Sequence, residues 1–190
     1  MATIRAFKAL RPLGDKAGAV SAVPYDVVDV ESARRFSGGN PLSFLHVSRA
    51  EIDLPDRTDP YSDLVYAMAA RRFEWLKQEA PLILEDKPSL YIYRLRMGSH
   101  EQTGLAACCS IAEYDSGIIR KHELTRKDKE DDRTRHIMTL GAQTGPVFLT
   151  YRAVEQIDKT VAGELTREPL CDFQAPDQVQ HTVWRASDAA

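Results

Sequence analysis

The amino-acid sequence predicts a protein of the α/β or α+β class, with a mixed sheet that contains an antiparallel hairpin and is flanked by helices. Two observations carry this prediction. Residues 59–80 show the three- and four-residue apolar spacing of a helix, and residues 89–111 contain two strand-like segments separated by a glycine turn. The length of 190 residues suits one domain, or one domain and a half.

The composition excludes several classes of protein. With 43% hydrophobic and 28% charged residues, the chain is neither disordered nor fibrous. The formal net charge of −3 argues against general nucleic-acid binding, which needs a basic face. No apolar run approaches the ~18 residues of a membrane span, and the three cysteines lack the CxxC spacing of a zinc site or redox pair. Because no signal peptide is evident either, we expect a cytoplasmic protein without a membrane partner.

The first quarter of the chain predicts short elements separated by turns. Residues 4–13 have the pattern of a strand or an extended lead-in. Asp29 is the predicted N-cap of a short helix over residues 30–36, which Gly38-Gly39 ends. Residues 44–47 (Phe-Leu-His-Val) predict a brief apolar strand, where a histidine is more often structural than a ligand.

The longest helix is predicted to begin at Asp59, as N-cap, with Pro60 in its first turn, and to end before Pro81. Residues at three- and four-residue spacing form a stripe on one face of this helix, and all but one arginine are apolar or aromatic. The predicted stripe consists of Tyr61, Val65, Met68, Arg72 and Leu76, with Leu64 and Trp75 beside it.

The second half of the chain predicts the hairpin and then alternating elements. The hairpin consists of strands over residues 89–96 and 103–111. Further along, the pattern predicts an apolar strand over 146–151, a helix over 153–165, and strands over 170–173 and 179–184.

One charged segment requires a chemical explanation. Residues 120–135 contain seven basic and five acidic residues, and histidines stand at positions 122 and 136. Thr125 is the predicted cap of a helix that runs to about residue 140, on which Lys129, Asp132, Arg133 and His136 share one face. Such a cationic cluster beside an Asp and an imidazole suits a phosphate or carboxylate ligand. His122 and Glu123, at the end of the preceding segment, could act as a general acid or base.

A second interpretation of this segment stays open, because most charge runs on helices are solvated faces. The histidine spacing matches no HExxH pattern, so no metal site is predicted. The sequence also lacks the GxGxxG, Walker A and GxSxG motifs of dinucleotide folds, P-loops and hydrolase elbows.

The chain resembles the N-terminal part of the prokaryotic "domain of unknown function 1015" family. The motifs that carry this resemblance occur in the family's order and cover essentially the whole chain. They are Val23-Pro24-Tyr25-Asp26-Val27, Asn40-Pro41 through His46-Val47, Glu51 through Pro55, Tyr91 through Leu95, Thr103-Gly104-Leu105, His122 through Arg133, and Thr144 through Phe148.

The resemblance implies a larger parent protein. Members of this family are about twice as long and carry an Asp-Gly-His-His-Arg motif, similar to the phosphate-gripping element of the ParB–sulfiredoxin superfamily, in a second half. That motif does not occur in this sequence. We therefore expect an α/β family domain over residues 1–152, followed over residues 153–190 by a helix and strands that lead into a second half.

The superfamily includes a free-serine kinase with a nucleotide phosphoryl donor. The resemblance thus implies a phosphate- or nucleotide-handling enzyme of serine or phosphoserine metabolism, a phosphotransferase or phosphatase that binds a small anionic molecule, with magnesium accompanying any nucleotide. The predicted anion ligands are Arg126, Lys129 and Arg133. The predicted base is Glu123 or Asp132, the predicted acid or orienting group is His122 or His136, and the opposite pocket wall is formed by Tyr25, Asp26, Asn40 and His46.

The alternative is a module without catalytic activity that recognises an anionic ligand or a partner protein through the charged helix. The two hypotheses differ in geometry, since a catalytic site needs these residues to converge in a concave pocket.

Overall fold

The structure is a computed structural model that describes residues 2–186 of the chain. The α-helices are α1 (Ala17–Val20), α2 (Val30–Ser37), α3 (Leu45–Ser48), α4 (Asp63–Glu79), α5 (Ile111–Asp115), α6 (Lys127–Leu140) and α7 (Glu155–Glu164). The strands are β1 (Ile4–Arg5), β2 (Leu10–Arg11), β3 (Ile83–Leu84), β4 (Tyr91–Met97), β5 (His100–Ala106), β6 (Cys108–Cys109), β7 (Cys171–Gln174) and β8 (Gln180–Arg185). Three 3-10 helices cover Gly14–Lys16, Tyr25–Val27 and Ala50–Asp53. The predicted mixed class, with helices and antiparallel strand pairs, is confirmed.

The described residues divide into two compact units. The strand-rich unit is built from segments within Met1–Gly18, Ile83–Leu124 and Leu149–Ala190, and the helical unit consists of Ala19–Leu82 and Thr125–Phe148. The predicted boundary at residue 152 divides the chain along the sequence, whereas the two units are groups of residues that are compact in space. That boundary stays a prediction. None of the helices in residues 2–186 combines the length and apolar composition needed to cross a membrane.

The main sheet of the strand-rich unit has the order β5-β4-β8-β7, and every pair in it is antiparallel. The predicted hairpin is confirmed as β4 and β5, which pair from Tyr91 with Ala106 to Met97 with His100. Gly98 in the connecting turn has a φ of 59°, a conformation that glycine adopts without steric cost. The two C-terminal strands are also confirmed, as β7 and β8, within one or two residues of the predicted ends.

A buried carboxylate joins three segments of the strand-rich unit. Glu85, just after β3, accepts hydrogen bonds from Arg11 Nε at 2.6 Å and from Arg185 Nη1 at 2.7 Å. Glu85 is buried, so its charge needs both guanidinium partners. This arrangement links β2, the end of β3 and β8.

The core of the helical unit forms along α4. Val65, Ala69, Phe73 and Leu76 recur at three- and four-residue spacing and pack with Val47 of α3 and Leu140 of α6. The predicted stripe was therefore partly wrong, because Tyr61 and Leu64 are exposed. The predicted cap was also wrong, since Ser62 is the N-cap residue and Asp59 instead accepts a turn hydrogen bond from the backbone N–H of Tyr61 at 2.9 Å.

Two shorter helices largely agree with their sequence signals. Asp29 caps α2 by accepting a hydrogen bond from Ser32 N at 2.7 Å, as predicted. Helix α6 ends at Leu140, where Gly141 adopts a φ of 63°. Its N-cap residue is Arg126, so the predicted cap at Thr125 was wrong by one position.

Two predicted strands are absent from the described residues. The Phe44–Val47 segment turns into α3, because the backbone N–H groups of Val47, Ser48 and Arg49 bond to carbonyls three or four residues earlier. Residues 146–151 have no regular structure, and no backbone hydrogen bond joins them to another residue in 2–186. Phe148 in this segment is 75% exposed. Apolar composition predicted strands at both places, but a strand also requires a neighbouring strand.

Candidate functional site

The charged face of α6 is held by tyrosines of the helical unit. Lys129 Nζ donates to the hydroxyl of Tyr61 at 3.0 Å, and the Arg133 guanidinium carbon lies 4.2 Å from the centre of the Tyr25 ring. The Lys129 contact is therefore a charge-assisted hydrogen bond, and the Arg133 contact is a cation–π interaction. The structure thus brings together Tyr25, Asp132 and Arg133, three of the residues predicted for a site.

Asp132 is the most constrained carboxylate on this face. Its side chain is 10% exposed, and its two oxygens accept from Tyr66 Oη at 2.7 Å and Arg133 Nε at 2.8 Å. Burial, followed by the hydrogen bond to Asp132, raises the pKa of Tyr66, so this phenol is neutral and acts as the donor. Both Asp132 oxygens thus have a partner within the helical unit.

His136 lies one turn further along α6 and is only 4% exposed. Its Nε2 is 3.0 Å from the carbonyl oxygen of Val47, and a carbonyl can only accept, so Nε2 carries the proton. Burial lowers the pKa of His136 below its ordinary value of 6.5, which keeps the ring neutral at pH 7. The geometry fits a donor to the backbone of α3.

Four other predicted site residues are largely exposed. His122 and Glu123 belong to the strand-rich unit. Nε2 of His122 lies 3.8 Å from Oε2 of Glu123, and the His122 side chain is 88% exposed. In the helical unit, Arg126 pairs with the neighbouring Asp128 at 2.7 Å, and Asp26 is exposed. The assignment of catalytic and binding roles to these four residues stays a prediction.

A cavity of about 360 Å³ opens in the helical unit, beside the ends of α2 and α3. It contains two predicted binding residues, Asn40 and His46, together with residues that the sequence did not single out as ligands. Its lining is Arg34, Ser37, Gly38, Gly39, Asn40, Pro41, His46, Ile52 and Asp53. A volume of this size suits a small metabolite.

The cavity contains a histidine–carboxylate pair. His46 Nδ1 lies 2.9 Å from Asp53 Oδ1 and 3.0 Å from Oδ2, and each side chain is 14% exposed. Arg72, on α4, donates from Nε to Asp53 Oδ2 at 2.6 Å. A carboxylate oxygen accepts, so Nδ1 is the protonated nitrogen of His46, and Nε2 has no hydrogen-bond partner among the described residues.

The cavity walls are fixed by hydrogen bonds to the backbone. Arg34 of α2 donates to the carbonyls of Ile52 and Leu54 at 3.0 and 2.9 Å, which holds the segment that carries Asp53. Asn40 donates to the carbonyl of Ala19 at 2.7 Å, so its side chain supports the loop.

A tight turn over residues 37–40 connects the end of α2 to the segment that lines the cavity. Asn40 N donates to Ser37 O at 2.9 Å, and Gly39 has a φ of 75°, as in a type II turn. Glycine is required there by the positive φ.

This arrangement can move a proton. A carboxylate that accepts from Nδ1–H fixes the tautomer of the imidazole and stabilises the imidazolium that forms when Nε2 takes a proton. Arg72 in turn fixes the second oxygen of Asp53 by a charge-assisted hydrogen bond. The chemistry available in the cavity is therefore general acid–base catalysis at His46 Nε2.

Sequence reasoning missed Arg34, Asp53 and Arg72 as site residues. The helical pattern did contain one signal, since Arg72 interrupted an otherwise apolar stripe, and a charge in such a position needs a buried partner. Nothing in the local pattern identified that partner as Asp53, nineteen residues earlier.

No group of three or more His, Cys, Asp or Glu side chains within residues 2–186 is arranged to hold a metal ion.

Comparison with known proteins gives one match. A family model described as "Protein of unknown function (DUF1015)" matches residues 4–190. Neither a search of curated proteins nor a search of solved structures found a match. The matched range includes every cavity residue described above, and the description of the family names no activity.

Proposed function

The chain belongs to the DUF1015 family, and from the arrangement of its own residues we propose that it forms part of an enzyme that acts on a small anionic metabolite, with His46 as the proton-transferring group. The observation that carries this proposal is the hydrogen-bonded series His46–Asp53–Arg72 at the wall of the cavity. A histidine whose tautomer is fixed by a buried carboxylate is a recurrent arrangement for general acid–base catalysis.

The substrate class rests on two supports. The α6 face presents Lys129 and Arg133 in the same helical unit as the cavity, and such cations suit a phosphate or carboxylate. The similarity of the family to the ParB–sulfiredoxin superfamily, inferred from sequence motifs, supports serine or phosphoserine as the metabolite and a nucleotide as phosphoryl donor. A nucleotide would bring magnesium, held by its phosphates and at most a few carboxylates.

In the proposed reaction, Nε2 of His46 takes the proton of a substrate hydroxyl while that oxygen attacks the terminal phosphorus of the nucleotide. The bond from this phosphorus to its bridging oxygen breaks, so the nucleoside diphosphate leaves, and the imidazolium later gives its proton to water. Asp53 stabilises the resulting imidazolium through Nδ1–H. Phosphoryl transfer is mainly a matter of positioning and charge stabilisation, so no protein nucleophile is needed. The cations of α6 would stabilise charge on the phosphoryl oxygens.

The test combines binding and turnover on the 190-residue chain. Thermal unfolding is measured with L-serine, O-phospho-L-serine and ATP, each with and without magnesium, and turnover is followed by phosphorus NMR. We expect one of these ligands to raise the melting temperature, and His46→Gln to lower turnover about 10²–10⁴-fold, the usual contribution of a general base. Asp53→Asn should lower turnover as well.

The matched controls are His100→Gln and Asp86→Asn, because both residues are exposed and outside the cavity. Both variants should retain wild-type turnover. The proposal fails if none of the ligands shifts the melting temperature and none is turned over, or if His46→Gln retains full turnover.

One observation favours the second candidate function, a binding module without catalysis. Several cations in α6 or at its N-cap already have carboxylate partners, with Arg133 on Asp132, Arg126 on Asp128, and Lys127 on Asp131 at 2.7 Å. Paired cations of this kind recognise a ligand only by exchanging partners. Ligand binding without turnover in the wild type would favour this module over the enzyme.

A further inference from the structure

We propose that His136 is a positioning residue, which orients the His46 side chain by donating a hydrogen bond to the carbonyl of the neighbouring residue Val47. The proposal rests on the proposed role of His46 in proton transfer. In this proposal His136 holds α3 in place and does not itself transfer a proton. The link is the contact of 3.0 Å between His136 Nε2 and Val47 O.

Helix α3 needs such a donor because it has only four residues, Leu45–Ser48. The last four carbonyls of any helix lack partners within the helix, and Val47 is 1% exposed, so water does not readily replace the missing donor. No backbone N–H of the described residues bonds to Val47 O. The imidazole of His136 therefore supplies the hydrogen bond.

The two members of the His46–Asp53 pair are held from different helices. Asp53 lies in the 3-10 helix Ala50–Asp53, and its carboxylate is fixed by Arg72 of α4. His46 projects from α3, whose Val47 carbonyl is fixed by α6. A shift of α3 by about half an ångström would lengthen the 2.9 Å contact of Nδ1 beyond the usual hydrogen-bond range of about 2.7–3.2 Å and weaken it.

The surroundings of His136 suit a fixed donor. Besides burial and the bond to Val47 O, the groups that shift the pKa of His136 are Arg133 and Asp132 of its own helix, and α3 presents the Val47 carbonyl. The ring is almost completely buried, so exchange of a proton with a substrate or with water is hindered. Its burial and its Nε2–H tautomer both serve the bond to α3.

The experiment is imidazole NMR of the full chain labelled with nitrogen-15 in histidine. In the wild type, His46 should give a slowly exchanging Nδ1–H resonance, assigned by its disappearance in His46→Gln and its loss in Asp53→Ala, which removes the acceptor. We expect His136→Leu to lose that resonance, and His136→Gln to retain it because the glutamine amide can reach Val47 O. His100→Leu, at an exposed site, should retain it.

Retention of the His46 Nδ1–H resonance in a folded His136→Leu protein overturns the inference. If that variant does not fold, His136→Asn gives the same comparison, since its shorter amide does not reach Val47 O, and retention there also overturns the inference. These outcomes do not involve ligand or turnover, so they are separate from failure of the proposed function. A wild-type protein without the resonance would contradict both.

Discussion

Replacement of Tyr66 by phenylalanine isolates the hydrogen bond that holds Asp132 in the helical unit. The hydroxyl donates to Asp132 Oδ1 at 2.7 Å. The variant keeps the aromatic ring, whose centre lies 4.1 Å from the Arg135 guanidinium carbon. Hydrogen bonds to charged groups contribute about 1.5–3 kcal/mol net. Since the carboxylate keeps its bonds to Arg133, we expect a loss of about 2 kcal/mol in the free energy of unfolding.

The assay is a double-mutant cycle with Tyr66→Phe and Asp132→Ala, measured by denaturant unfolding. The chain has two tryptophans, Trp75 in the helical unit and Trp184 in the strand-rich unit. In a Trp184→Phe background, fluorescence therefore reports the helical unit. For a chain of this size, 2 kcal/mol corresponds to a decrease of about 4–8 °C in melting temperature.

A coupling energy between the two substitutions of about 1.5–3 kcal/mol agrees with the structure. A coupling below about 0.5 kcal/mol would refute the reasoning, since distant sites couple only that weakly. Tyr114→Phe is the matched control, because Tyr114 is exposed, and it should change stability by less than about 0.5 kcal/mol.

The same hydrogen bond gives a pH test. The pKa of Tyr66 is raised above its ordinary value of 10, so above pH 10 the folded state holds a proton that the unfolded state loses. This contribution to stability is complete below pH 10 and is lost as the pH rises further. Tyr66→Phe should therefore lose stability less steeply than the wild type above pH 10.

Three further substitutions have defined outcomes. Burial lowers the pKa of His136 in the folded chain, so below about pH 6.5 the unfolded chain binds more protons at this residue. The wild type therefore loses stability as the pH falls from 7 to 5, and His136→Gln should lose stability less steeply over the same range. Glu85→Gln removes the charge shared by Arg11 and Arg185 and should cost about 3 kcal/mol in urea unfolding. Gly39→Ala should cost about 1–2 kcal/mol, since φ is positive there.

Each of these predictions has its control. His100→Gln should leave the pH dependence unchanged, and equal slopes for wild type and His136→Gln would contradict the burial argument. Asp86→Asn, an exposed carboxylate one residue beyond Glu85, should be neutral. Gly104→Ala adds a methyl group in open space without a positive φ, so a cost equal to that of Gly39→Ala would argue against backbone strain.

Local signals in the sequence were sufficient where the hydrogen bonds are local. The cap at Asp29 and the glycine turn between β4 and β5 each involve contacts within a few residues. Such contacts depend on side-chain spacing, which the sequence displays directly. The class of the protein and most helix and strand positions followed from them.

The candidate site was only partly predictable for the same reason. Asn40 and His46 were expected to line a pocket, and both lie at the cavity. The carboxylate that orients His46 was missed because residues 44–47 appeared to form a strand, in which successive side chains point to opposite faces. As a helix, this segment instead places His46 beside Asp53.

The sequence by itself determined the mixed class, the hairpin, the charged helix and the family. Only the tertiary structure decided that Phe44–Val47 is helical, that residues 146–151 pair with no described strand, and that Arg72, Asp53 and His46 meet. The physical reason is that patterns of spacing encode which face of an element is apolar, whereas the partner of a buried charge or strand is chosen by packing between distant segments.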